Sequence, residues 1–144
     1  MNDSIRCDVC FRMFGDNLDP VEVTELLRIP PDEAHRKGET RKTISKKGKA
    51  LESVPYQFGM WSINSKEDEY ATLEQHISSL LRLMYPMKDN LLSFLDKGYT
   101  MDMFCGVFIR DTHQPGFDLN SDILLKLGEI NIKLGMCFYQ NLSV

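Results

Sequence analysis

The sequence predicts an α+β fold: a two-layer sandwich with a mainly antiparallel sheet of about four or five strands and helices on one face. Three observations carry this. Ile5, Cys7, Val9, Phe11 and Met13 alternate with Arg6, Asp8, Cys10 and Arg12, the period of two of a half-buried strand. Met101, Met103, Cys105, Val107 and Ile109 alternate in the same way with Asp102, Phe104, Gly106, Phe108 and Arg110. Between and after these runs lie apolar stripes at helical spacing, each opened by a capping residue.

After the first strand, Gly15 permits a turn, and Asp19 is suited to accept the free amide hydrogens of a helix that Pro20 begins. Glu22, three residues after the cap, faces the positive helix end. Val23, Leu26 and Leu27 form the apolar stripe, and Pro30 and Pro31 end the helix near Ile29.

A polar stretch follows, read as a basic loop or edge hairpin at about 31–55. Between His35 and Lys49 it carries seven basic residues against Glu39 alone, an excess of six. The chain's net charge is −4, so everything outside this segment sums to −10. Two readings compete for it. Arg41, Lys42, Lys46, Lys47 and Lys49 form an anion-binding candidate for nucleic acid or a small ligand. Against this, the segment has no aromatic residue to stack a base and no glycine-rich phosphate cradle. The favoured reading is a solvated loop or a hairpin whose lysines guard a strand edge.

Tyr56–Asn64 has the aromatic and β-branched content of a strand, with Trp61, the single tryptophan, as a core anchor. Ser65, with Asp68 three residues on, is expected to cap the next helix. Its stripe is Tyr70, Leu73, Ile77, Leu80, Leu81 and Met84, with His76 beside it. Pro86 starts a second helical segment through Leu91, Leu92 and Leu95, and Gly98 closes it. After the second alternating strand, the loop DTHQPG leads to a helix capped by Asn120 that stops at Gly128. In the last strand Ile130, Ile132, Leu134, Met136 and Phe138 take one face, and Asn131, Lys133, Gly135, Cys137 and Tyr139 the other.

Gly15, Leu18, Asp19, Val23, Leu26 and Ile29 align without a gap on Gly116, Leu119, Asn120, Leu124, Leu127 and Ile130. The match suggests two pseudo-duplicated strand–turn–helix–strand halves. The competing explanation is that any two capped amphipathic helices look this much alike.

Residues 1–144 read as a single domain, 42% hydrophobic and 26% charged, values ordinary for a globular protein. No apolar run is long enough to span a bilayer, and MNDSIRCDVC lacks the basic-then-apolar pattern of a secretory signal, so a cytoplasmic protein is expected. Cys7 and Cys10, three apart in one strand, point to opposite faces and cannot close on one metal. Cys7 and Cys105 are expected in the core, Cys10 and Cys137 on the other sheet face, and neither a metal nor a cofactor is expected.

With helices on the Ile5/Val9/Met103/Ile132 side, the opposite face carries Arg6, Arg12, Phe104, Phe108, Arg110 and Tyr139 as partner-binding candidates. Asp8 and Lys133 share that face, and Gly106 and Gly135 are expected to leave shallow hollows in it. The alternatives are a simply half-solvated sheet, or one covered by the basic loop.

The combination of Gly15-Asp16-x-Leu18-Asp19-Pro20, Lys37-Gly38-Glu39 and Gly59-x-Trp61-Ser62, followed by a long helix and two strands, spans nearly the whole chain. It resembles a family of small, mostly bacterial proteins known only as a domain of unknown function. The resemblance implies a compact α+β domain with no established catalytic residues. Size, acidity and compartment are also similar to those of the immunity proteins that bacteria make against their own toxins.

Enzyme signatures are absent: there is no G-x-S-x-G, P-loop, dinucleotide fingerprint or H-E-x-x-H. Asp111 and His113, two apart in a loop, are the nearest approach to an acid–base pair. The expected function is therefore non-catalytic, cytosolic protein binding, most concretely that of an immunity protein blocking a cognate toxin. The alternative is a small-ligand or nucleic-acid sensor using the basic segment.

Overall fold

The computed structural model describes residues 5–44, 50–110 and 116–140, leaving the side chains of 41–44 and 50–53 undescribed. Strand β1 (Ile5–Gly15) leads through a turn into α1 (Pro20–Leu27) and the short β2 (Glu33–His35). A hairpin of β3 (Thr40–Ile44) and β4 (Ala50–Pro55) precedes β5 (Gly59–Asn64). Then come α2 (Leu73–Met84), a 3₁₀ turn (Tyr85–Met87), α3 (Lys88–Leu95), β6 (Thr100–Ile109), α4 (Ser121–Ile130) and β7 (Ile132–Gln140).

The main sheet has the order β2-β5-β1-β6-β7. β1 runs antiparallel to β5 and β6, β2 antiparallel to β5, and β7 parallel to β6. The sheet is thus mixed, with one parallel pair at its edge. β2, two antiparallel steps from β1, also runs parallel to it. Each half is therefore a strand–helix–parallel-strand unit, and β5 is inserted between the strands of the first. The two helices have comparable ends, although the gapless sequence match does not hold along them: it sets buried Val23 on exposed Leu124 and exposed Leu26 on buried Leu127. Asp19 and Asn120 both accept an amide hydrogen from the first turn, and Arg28 and Asn131 both close their helices in the left-handed region.

The alternation in β1 and β6 decides which face carries the core. Cys7, Val9, Phe11, Met13, Met103, Cys105 and Val107 are all buried, under α1, α2, α3 and α4. Trp61 and Phe11 meet edge to face at 6.3 Å, with Phe94, Met84 and Leu91 closing the helical side. Each such side chain contributes about 1.5–3 kcal/mol by leaving water.

Four local expectations change. Helix α2 begins at Leu73, not after Ser65. Thr72 caps it and exchanges hydrogen bonds with Gln75 in a full capping box, a better pairing than Ser65 with Asp68 offers. Tyr70 therefore lies before the helix. Helix α4 passes Gly128 to Ile130, because burying Ile130 completely outweighs the helix cost of one glycine. In β7 only Ile132 is fully buried; Met136 and Phe138 are exposed, since α4 ends before that half of the strand. Of the segment at about 31–55, Glu33–His35 form β2, an edge strand of the main sheet, while β3 and β4 pair as a separate two-stranded sheet rather than as an edge hairpin. Lys46, Lys47 and Lys49 lie outside the described residues, as do the side chains of Arg41 and Lys42 and the whole of Asp111 and His113.

Among the described residues, no helix is long and apolar enough to cross a membrane, and no cluster of His, Cys, Asp and Glu has the arrangement of a metal site.

Candidate functional site

The sheet register lines the uncovered face into rows. Arg6 pairs with Phe108, and Phe108 with Tyr139; two residues along, Asp8, Gly106 and Cys137 share a row. Cys10, Phe104 and Gly135 form the third row, and Arg12, Asp102 and Lys133 the fourth.

In the first row the Arg6 guanidinium lies 4.2 Å from the centre of the Phe108 ring, and that ring stacks on Tyr139 at 4.7 Å. A cation over a ring over a second ring is an ordered surface ladder. Arg6 also lies 3.8 Å from both Asp8 and Glu69, which joins the ladder to an acidic margin.

In the fourth row Arg12 donates two hydrogen bonds to Asp102, at 2.9 and 2.6 Å. The same guanidinium lies 4.4 Å from the Phe104 ring centre and 4.9 Å from that of Phe14. The hydrogen bonds to Asp102 push the Arg12 pKa above its ordinary value, so the fork stays charged. Phe14 in turn meets Phe58 edge to face at 5.4 Å.

Arg6, Arg12, Phe104, Phe108 and Tyr139 are thus brought together. Arg110 is exposed, one residue beyond β6 and apart from the stacked rings. Asp102, Phe14 and Phe58 join the site without having been singled out. The first two share the strand parity of Phe104 and Arg12, while Phe58 precedes β5 and is placed by the tertiary fold alone. The expected hollows are absent: a Cβ at Gly106 would touch the Phe108 ring at 3.4 Å, and one at Gly135 the Phe104 ring at 3.9 Å. The glycines give the rings room to lie flat. Nor is the face open throughout. Ser62, between Arg12 and Glu33 in register, is only 3% exposed because its larger neighbours cover it.

On the helix-covered side of the sheet, between the start of β1 and the start of α2, lies a cavity of about 740 Å³ lined by Ile5 and Cys7. Glu67, Asp68, Glu74 and Asp118 line it with Tyr70, Gln75 and Phe117. Backbone hydrogen bonds from Ser65 to Val9 and from Cys7 to Glu69 hold this acidic segment along β1.

Among the described residues, several nucleophilic and titratable groups are buried. Burial raises the Cys7 thiol, and pushes Cys10 up to about 11 and Cys105 to about 12, so none of the three is a thiolate at neutral pH. The structure does bring a serine to His76, at 2.7 Å from Ser65 Oγ to Nδ1. His76 is 2% exposed, however, and its Nε2 is buried without a partner. Neither residue lines the acidic cavity or the smaller one beside it. This pair ties α2 to the strand end rather than facing a substrate.

Residues 5–141 match the family described as a domain of unknown function, DUF4279. The chain belongs to this family. No curated protein and no solved structure matches significantly. Two of the short motifs by which the sequence resembles such a family, those at Gly15–Pro20 and Gly59–Trp61, meet. Gly15 pairs with Gly59, and a Cβ at Gly59 would lie 2.8 Å from the Leu18 carbonyl oxygen. Trp61 lies two residues on, its indole bonded to α1. In this DUF4279 chain these motif residues form a packing junction, on the side of the sheet away from the arginine–aromatic rows.

Proposed function

We propose that this chain is a non-catalytic protein-binding domain of the cytoplasm, most concretely an immunity protein that neutralises a cognate toxin. The observation that carries the reading is the Arg6–Phe108–Tyr139 ladder on a sheet face that no helix covers. Arginine and flat aromatic side chains are enriched at binding hot spots, and rings held in place lose little entropy on docking. Asp8 and Glu69 at the margin of the ladder, and the acidic remainder of the chain, suit a basic partner such as a nuclease domain.

The test begins with the tagged chain as bait in its own cells. A captured partner is then purified and titrated against wild type, Phe108→Ala and Arg6→Ala. The reading expects at least about a tenfold loss of affinity for each variant, about 1.4 kcal/mol or more, and suppression of the partner's toxicity by wild type. Unaided turnover of a substrate by the pure chain, or a partner bound equally well by both variants, would overturn it.

A further inference from the structure

The two edges of the main sheet are built differently. β2 is three residues long, and Arg36 and Lys37 follow it directly. Such a short edge offers little to an incoming strand. At the other edge, β7 runs nine residues in unbroken register with β6, from Met101↔Ile132 to Ile109↔Gln140. Among the described residues its outer side has no strand partner. It contains neither proline nor bulge, and Lys133 is its one charged residue. Met136, Phe138 and Tyr139 are 37%, 54% and 47% exposed. A long, regular, apolar edge with unpaired N–H and C=O groups is a template for another strand.

We propose that the outer edge of β7 is the docking site for a second copy of this chain. The two β7 strands run antiparallel about a two-fold axis at Met136, joining two five-stranded sheets into one. The sequence of β7 is self-complementary in this register. Lys133 falls opposite Tyr139 of the other copy, on the uncovered face, where an ammonium and a phenol ring attract. On the helical face Leu134 falls opposite Phe138, an aliphatic–aromatic pair. Gly135 falls opposite Cys137, and no like charges meet. The dimer extends the Arg6–Phe108–Tyr139 row across the seam, yet the contact at its axis, Met136, lies on the other face, so this inference does not depend on the proposed function.

The experiment is sedimentation of the full chain over a wide concentration range, for wild type, Met136→Lys and Leu125→Lys. Met136 on the axis would place two lysines side by side. Leu125 is 62% exposed on α4, outside the β7 strand that forms the seam, and serves as the control. The expected result is a reversible wild-type dimer, unchanged in Leu125→Lys and weakened at least about tenfold in Met136→Lys, with the thermal melt of the monomer retained. Should Met136→Lys fail to fold, Phe138→Lys carries the same test. A wild type that stays monomeric throughout, a Met136→Lys dimer as tight as wild type, or a dimer lost in Leu125→Lys would each overturn the proposal.

Discussion

The indole N–H of Trp61 donates to the hydroxyl of Thr24 at 3.0 Å, and with the buried Val23 and Leu27 this bond holds α1 over the sheet. Trp61 is fully buried, so the donor has no water to turn to. Thr24→Val keeps the shape and removes the acceptor. It is expected to cost about 1–3 kcal/mol, the penalty of an unsatisfied buried donor, whereas Thr24→Ser keeps most of the stability. Denaturant unfolding followed by the fluorescence of the one tryptophan measures both. Equal midpoints for Thr24→Val and wild type would show that the bond contributes nothing.

Glycine-to-alanine changes should split in sign. At Gly59 the new Cβ would lie 2.8 Å from the Leu18 carbonyl oxygen and 3.2 Å from that of Gly15, both backbone atoms that cannot step aside. Gly59→Ala is therefore expected to destabilise by about 1–3 kcal/mol. Gly128 is an exposed helical position with nothing within 4 Å of its Cβ. Gly128→Ala should stabilise by about 0.5–1 kcal/mol. Thermal melts of the two variants decide the matter, and a shift in the same direction for both would contradict the packing argument.

The Arg12–Asp102 fork is the strongest polar contact on the uncovered face, with side chains 29% and 18% exposed. Asp102→Ala leaves the guanidinium among rings with no carboxylate, at an expected cost of about 1–3 kcal/mol. Arg12→Lys retains the charge but not the two-pronged geometry, and should lose part of the same energy. A double-mutant cycle on unfolding free energies isolates the pair. A coupling energy near zero would mean that the fork orders the surface without stabilising the fold.

The alternating strands were legible because a period of two reports the two faces of a sheet directly, whatever the strands pair with. The even residues of β1 and β6 could thus be assigned to the uncovered face from the sequence. What they do there could not. That Phe108 fills the space over Gly106, and that Asp102 accepts from Arg12 rather than from Lys133, depend on which strands are neighbours and in what register. The start of α2 was missed for a related reason. Ser65 looks like a cap, but its hydroxyl is engaged by His76, eleven residues further along the chain.

That bond defines the last prediction. His76 is buried, with its Nδ1 on Ser65 and its Nε2 without a partner among the described residues. Burial lowers its pKa, outweighing the opposite pull of Glu67 and Asp68. Burial lowers the half-buried His35 in the same direction. A histidine whose folded pKa is depressed binds its proton more readily in the unfolded chain. Its contribution to stability is level above the unfolded value of about 6.5 and falls as the pH drops below it. Carboxylates held low in the fold act in a separate window. Glu129, bonded by Tyr85 and Lys88, and Asp32, bonded by Lys66 and the Asn64 amide, stabilise above the ordinary carboxyl range of about 4 and lose that contribution only below it. Melting temperatures between these two ranges therefore isolate the histidines. Wild type should lose stability steadily as the pH falls from about 6.5 to about 5. His76→Asn should start less stable at neutral pH but follow a flatter curve, because the His76 share is gone. Parallel curves for the two proteins would show that His76 keeps its proton equilibrium unchanged on folding, and would refute the buried-imidazole account.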